Sequence, residues 1–206
     1  MKQLLLLTLL AMTARSHAQV KLEDIVKPGT KLIYTINDNG NTYDFTVLVK
    51  DKNGASFDWQ MGAPENKKGT INHTEKALKS AFKMYNFFQS ETRTLDDRTL
   101  SLWLSQKTFS DLTKGTDAIK ICMNQPTDEP AVMKYFMDGE LVIKIDGNGA
   151  KIYGRMVKPA KKLKDGKWII DPSSDDVFTY YNSASLPIVL RMHTTSYMTL
   201  KEIRTH

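Results

Sequence analysis

The feature that most limits what this chain can fold into is a repeated local grammar: short stretches of period-two hydrophobicity separated by Asn-Gly or Asp-Gly pairs. Such pairs adopt the positive φ that tight hairpins demand, and alternation places every second side chain on one strand face. Residues 32–36 lead through Asn39-Gly40 into 43–49, where Tyr43, Phe45, Val47 and Val49 share a face. Asn53-Gly54 opens 56–61, in which Phe57, Trp59 and Met61 alternate. Further on, 132–137 turns at Asp138-Gly139 into 141–145, Gly147 to Gly149 turns again into 151–157, and Asp165-Gly166 precedes 168–170. The last strands are expected at 188–192 and 197–203. The pattern predicts a mainly β fold with an α+β fringe, its antiparallel hairpins forming curved or half-barrel sheets.

Two segments break this pattern. Residues 75–88 carry Ala77, Leu78, Ala81, Phe82, Tyr85 and Phe88 at helical spacing behind the N-cap candidate Thr74, which predicts one amphipathic helix on the sheet. After a strand containing Leu100, Leu102 and Leu104, Ser105 is placed to cap a short helix bearing Phe109 and Leu112 and ending at Gly115. Loops are expected at 62–69 and 124–130, the second being a candidate division between two halves of one β-rich domain spanning 19–206. Leu32, Ile36, Asn39 and Gly40 have the spacing of Leu141, Ile145, Asn148 and Gly149. Either a duplicated sheet unit or the grammar common to all hairpins accounts for that.

Residues 1–18 have the three parts of a cleavable export signal: Lys2, an apolar run from Leu4, and small residues before a cut between Ala18 and Gln19. Thr13, Arg15, Ser16 and His17 end the run well short of the roughly 20 apolar residues that span a bilayer. The mature protein is therefore expected to be periplasmic or secreted, without a membrane span. Gln19 stands where a lipoprotein would carry its cysteine, and Cys122 is the only cysteine, so the fold must rest on core packing rather than on disulfides. Losing Lys2 and Arg15 lowers the formal charge from +6 to +4. Lys158, Lys161, Lys162, Lys164 and Lys167 form the densest basic cluster, read either as a solvated hairpin tip or as a contact for anionic glycan or membrane phosphate. No aromatic platform interleaves with these lysines in the manner of a nucleic-acid site, so nucleic acid is not an expected partner.

No motif specifies a reaction. His73, His193 and His206 fall in no metal-ligand spacing and are expected at ordinary surface positions, so neither metal nor cofactor is predicted. Ser105 lacks a nucleophile elbow, and capping explains it. Cys122 reads as a small structural residue on a strand. Asp96-Asp97 is the local candidate for a hydrolase carboxylate pair, against a plain charged turn before the next strand. Asp171, Asp175 and Asp176, and the loop Asp146-Gly147-Asn148-Gly149, lack the ligand register of a calcium site and are read as turns.

An excess of large aromatics remains, and a sheet curved around a helix can enclose an apolar cavity. Trp59, Phe82, Tyr85, Trp103, Tyr180 and Tyr181 are the candidate ligand-binding residues, with one of the adjacent pair Tyr180-Tyr181 expected to face away from the core. The segments Pro28-Gly29-Thr30, Phe57 with Trp59, Leu102-Trp103-Leu104-Ser105 with Phe109, Leu112 and Gly115, Pro187-Ile188-Val189-Leu190 and Leu200-Lys201-Glu202-Ile203 together resemble uncharacterised secreted proteins of Gram-negative bacteria of the Bacteroidota type. That resemblance implies a β-rich envelope domain and carries no catalytic residues. The expected function is a non-catalytic binding module for a hydrophobic small molecule or an envelope protein. The alternatives are an envelope structural or assembly component, or a glycan or peptide hydrolase.

Overall fold

The computed structural model of the chain describes residues 20–86, 88–114, 119–122, 129–194 and 196–206. The expected leader, its cut at Ala18 and Gln19, and most of the 124–130 division lie outside them. A short helix α1 (Leu22–Ile25) precedes the strands β1 (Lys31–Asp38), β2 (Asn41–Val49), β3 (Ser56–Met61) and β4 (Lys68–Asn72). Helix α2 (Glu75–Ser80), three short strands β5 (Lys83–Met84), β6 (Thr92–Thr94) and β7 (Thr99–Leu100), and helix α3 (Gln106–Thr113) follow. The remainder is strand: β8 (Ile119–Ile121), the long pair β9 (Ala131–Ile145) and β10 (Asn148–Lys162), then β11 (Trp168–Ile170), β12 (Val177–Tyr181), β13 (Val189–His193) and β14 (Tyr197–Arg204).

Twelve of these strands form one curved sheet in the order β6-β4-β3-β2-β1-β14-β13-β12-β10-β9-β8, with β11 attached to β10. The sheet curls until β9 meets β14 at Glu202↔Lys144 and Ile203↔Ile145, yet does not close as a barrel. It is mixed rather than wholly antiparallel, because β9 with β14 and β4 with β6 run parallel. Three of the expected hairpin turns form: Asn39 and Gly40 have φ of 49° and 82°, and Gly54 and Gly166 are also positive. The turn expected at Asp138-Gly139 does not, because β9 runs straight through it, with Asp138 paired to Arg155 and Gly139 to Gly154 in the ladder with β10. The supposed repeat fails too. Its second turn sits at Asp146-Gly147, with Ile145 paired to Asn148, whereas Ile36 lies three residues before Asn39, where its own hairpin turns; the two units are out of step.

Three further expectations are corrected by tertiary contacts. The helix expected over 75–88 stops at Ser80 because the Ala81 carbonyl, which would accept from residue 85, instead accepts the hydroxyls of Ser105 (2.7 Å) and Thr108 (2.8 Å). Tyr85 N–H turns to the Leu100 carbonyl at 2.7 Å, and the extended chain carries Met84, Tyr85 and Phe88 into the core. The strand expected through Leu104 ends at Leu100, since Leu102 takes φ of 61° and the buried stretch 99–105 is held by Leu104 N–H to Pro187 and Val189 N–H to Leu102. Finally, Tyr180 and Tyr181 are both buried, because α1 covers the second face: Leu22 N–H donates to the Tyr181 hydroxyl at 3.1 Å, which donates to Glu23 at 2.6 Å. Ser105 caps α3 as expected, accepting from Thr108 N–H.

One continuous apolar core contains Tyr34, Phe45, Phe57, Trp103, Phe178 and Tyr180. Two glycines set its closest approaches. A Cβ on Gly54 would lie 2.6 Å from the Trp103 indole, and one on Gly154 would lie 2.7 Å from Leu190 and 2.8 Å from Thr179 and the Tyr180 carbonyl. Gly54→Ala combines that overlap with an unfavourable positive φ, so chemical denaturation is expected to show a loss of about 2–4 kcal/mol. An unchanged midpoint would mean that Trp103 does not pack against this turn.

Candidate functional site

Most of the candidate aromatics are occupied by one another. Trp59 lies 6.1 Å from Phe45 and 5.1 Å from Phe88, and Trp103 stacks on Phe57 at 5.4 Å. Tyr85 meets Phe88 edge-on and takes the Arg93 guanidinium over its ring at 5.3 Å, while Tyr180 meets Phe109 edge-on at 5.9 Å. Phe82 and Trp103 border a gap of only about 10 Å³, no larger than one water. Tyr181, engaged with α1, borders an open recess of about 270 Å³ with Asp138, Tyr153, Gly154 and Asn182. Five of the six thus lie in the core and Phe82 is half-buried, and they do not converge on one apolar chamber.

A concavity of about 610 Å³ lies on β1–β4, where the register sets Lys31, Leu48, Asp58, Thr70 and Thr92 side by side across the strands. Its lining also includes Lys68 and Glu91, and of the candidate aromatics it reaches only Trp59. Burial pushes the Asp58 carboxyl upward, but hydrogen bonds from Thr70 (2.6 Å) and Lys50 (3.0 Å) outweigh this and hold it below the usual carboxylate value. Asp96 and Asp97 are lowered too. Asp96 accepts from the Thr99 hydroxyl and Arg98 N–H, and Asp97 from Thr74 and Lys76. A glycosidase acid needs the opposite shift, a carboxyl kept protonated near neutral pH. These three carboxylates serve turns and ladders.

His73 is not the surface residue the sequence suggests. It is 8% exposed, with Nδ1 2.5 Å from the Gly54 carbonyl and Nε2 accepting Ser101 N–H at 3.0 Å. The Ser101 bond fixes the tautomer, so Nδ1 carries the proton and donates to Gly54. This neutral ring ties the β2–β3 turn to the buried stretch that carries Trp103. Among the described residues, no group of three His, Cys, Asp or Glu side chains is gathered for a metal. Cys122 is buried, and its backbone bridges to Lys83.

The region that alternation alone does not reveal is the β9–β10 arm. Among the described residues, six of the seven exposed large hydrophobics fall on β9, β10 or the turn that follows: Tyr135, Phe136, Met137, Val142, Tyr153 and Leu163. A bulge creates the core of this strip. Tyr135 pairs with Val157 and Met137 with Met156, leaving Phe136 as an extra residue without a partner. All three are at least two-fifths exposed, at 40%, 44% and 46%. Arg155 lies over the Tyr135 ring and Lys158 over Phe136, at 5.4 and 5.6 Å. The available signal was the consecutive run Tyr135-Phe136-Met137, which breaks period two within a strand. Comparison of the chain with family models, curated proteins and solved structures finds no match.

His73 makes stability depend on pH in a defined direction. Burial lowers its pKa from 6.5 to about 4, against a smaller upward pull from the Gly54 hydrogen bond. The unfolded chain therefore takes up the proton first; the stabilisation is complete above about pH 6.5 and falls as pH drops toward 4. The loss should reach about 3 kcal/mol. His73→Gln should be less stable at neutral pH and show a shallower decline between these limits in urea titrations. Parallel declines for the two proteins would rule His73 out as the source.

Proposed function

We propose that the chain is an exported, non-catalytic binding protein that engages a component of the bacterial envelope through its β9–β10 arm. One observation carries this reading: among the described residues, six of the seven exposed large hydrophobics lie on that arm, Tyr197 being the seventh, while Trp59, Trp103 and Tyr180 are buried in the core. Exposed aromatic and apolar side chains gathered on one element, as Tyr135, Phe136 and Met137 are, suit a contact surface. The arm also offers backbone, since residues 138–143 pair with β10 on one side and with no described strand on the other. Export rests on the signal pattern of residues 1–18, with the cut between Ala18 and Gln19 and a periplasmic or secreted product. The resemblance to secreted Bacteroidota-type proteins agrees with that address.

Among the described residues the six aromatics do not line one shared pocket, so they do not favour the small-molecule form of the expectation. The groove on β1–β4 favours a second reading. Lys31, Lys68, Asp58 and Glu91 around about 610 Å³ suit a polar ligand bearing both charges, such as a glycan or peptide segment. The carboxyls weighed for the hydrolase alternative, Asp58, Asp96 and Asp97, are all held below the usual carboxylate value, which does not favour a proton-donating acid at those positions.

The double substitution Tyr135→Ser, Phe136→Ser separates these readings. Both side chains are exposed, so the thermal midpoint should hardly move, while binding to isolated envelope fractions should fall roughly ten-fold. Undiminished binding would remove the arm as the contact surface and leave the groove as the better candidate.

A further inference from the structure

The far end of the arm has a chemistry of its own. β10 continues past Lys158 to pair with β11, Ala160 opposite Ile170 and Lys162 opposite Trp168. Paired residues share a face, so Lys158, Ala160, Lys162, Trp168 and Ile170 lie together, with Phe136 beneath Lys158. The tip is a tight turn in which Gly166 N–H donates to the Leu163 carbonyl and Leu163 N–H to Lys167. Leu163 stands exposed there between Lys162 and Lys164, and none of Trp168, Ile169 and Ile170 is buried. Between residues 158 and 171 the chain has five lysines and two acids, Asp165 and Asp171, the latter paired with Lys161 at 3.4 Å.

Building on the envelope-binding reading above, we infer that this tip docks on a lipid bilayer whose surface is rich in anionic headgroups. Trp168 on one face of the tip and Leu163 on the other give it apolar surface suited to the headgroup boundary, where tryptophan is favoured because one part is apolar and the other polar. The surrounding lysines have stems long enough to lie along that boundary with their ammonium groups at the phosphates. A second copy of the chain is a poor occupant, since apposed tips would bring five lysines against five. Among the described residues no helix is long and apolar enough to cross a membrane, and the tip needs none, because it lies on the surface.

Trp168 provides a built-in reporter. Trp59 and Trp103 are 2% and 1% exposed, which makes Trp168 the tryptophan open to a soluble quencher. The mature protein is mixed with vesicles of equal parts phosphatidylglycerol and phosphatidylcholine, and separately with pure phosphatidylcholine vesicles. Co-sedimentation and protection of Trp168 from acrylamide are expected with the anionic vesicles alone, both weakening as salt is raised. Lys162→Gln with Lys164→Gln should lower partitioning roughly five-fold for each lysine, and Trp168→Phe should abolish the quenching change while the protein still sediments. Equal binding to both vesicles, or displacement by soluble polyphosphate with Trp168 still open to quencher, overturns the inference. Absence of vesicle binding together with arm-dependent capture by envelope fractions also overturns it and leaves the broader reading standing; absence of both removes the two together.

Discussion

The ladder between β1 and β14 is the constraint on which the whole sheet depends. Seven pairs, from Lys31↔Arg204 to Asn37↔Tyr197, join a strand near the start of the described chain to the last one. Without them, β1–β4 and β9–β14 would be two half-sheets with bare edges, each too small to bury its aromatics. The Tyr34 hydroxyl adds a second tie by donating to the Val189 carbonyl at 2.9 Å, so β1 is fastened both to its neighbour and to the strand beyond. Such distant pairing places the fold among those that assemble slowly, because the chain must close a long loop before its best contacts form.

What was legible in the sequence is what a few neighbouring residues decide. Asn39-Gly40, Asn53-Gly54 and Asp165-Gly166 encode turns through backbone conformation, and Ser105 encodes a helix start through one hydroxyl; Asp138-Gly139 carries the same signal, but its long partner β10 holds it in the ladder. What was not legible depends on groups far along the chain. The end of α2 is dictated by Ser105 and Thr108, the burial of Tyr181 by α1, and that of His73 by Gly54 and Ser101. Parallel contacts such as β9 with β14 leave no turn in the sequence to betray them.

The aromatic residues show the same limit from the functional side. Side-chain type predicts that Trp59, Trp103 and Tyr180 will leave water, but not whether protein or ligand will cover them. Here protein covers them. Exposure was decided instead by an inserted residue, Phe136, and by where β10 outruns its partner β9 and takes up β11. The candidate surface therefore arises from departures from regular sheet geometry, in places where regularity would have hidden it.

Gly154 shows how the central strands are kept in alignment. β12 is buried on both faces, so hydrophobic patterning cannot tell Phe178 and Tyr180 on one side from Thr179 and Tyr181 on the other. The space opposite Tyr181 admits a hydrogen and nothing larger. Sliding β10 by one residue would drive Tyr153 or Arg155 into that space. A residue with no side chain thus acts as the alignment mark for two fourteen-ångström-scale ribbons of sheet, roughly four residues each at about 3.4 Å per residue, whose own surfaces carry no instruction about where to stop.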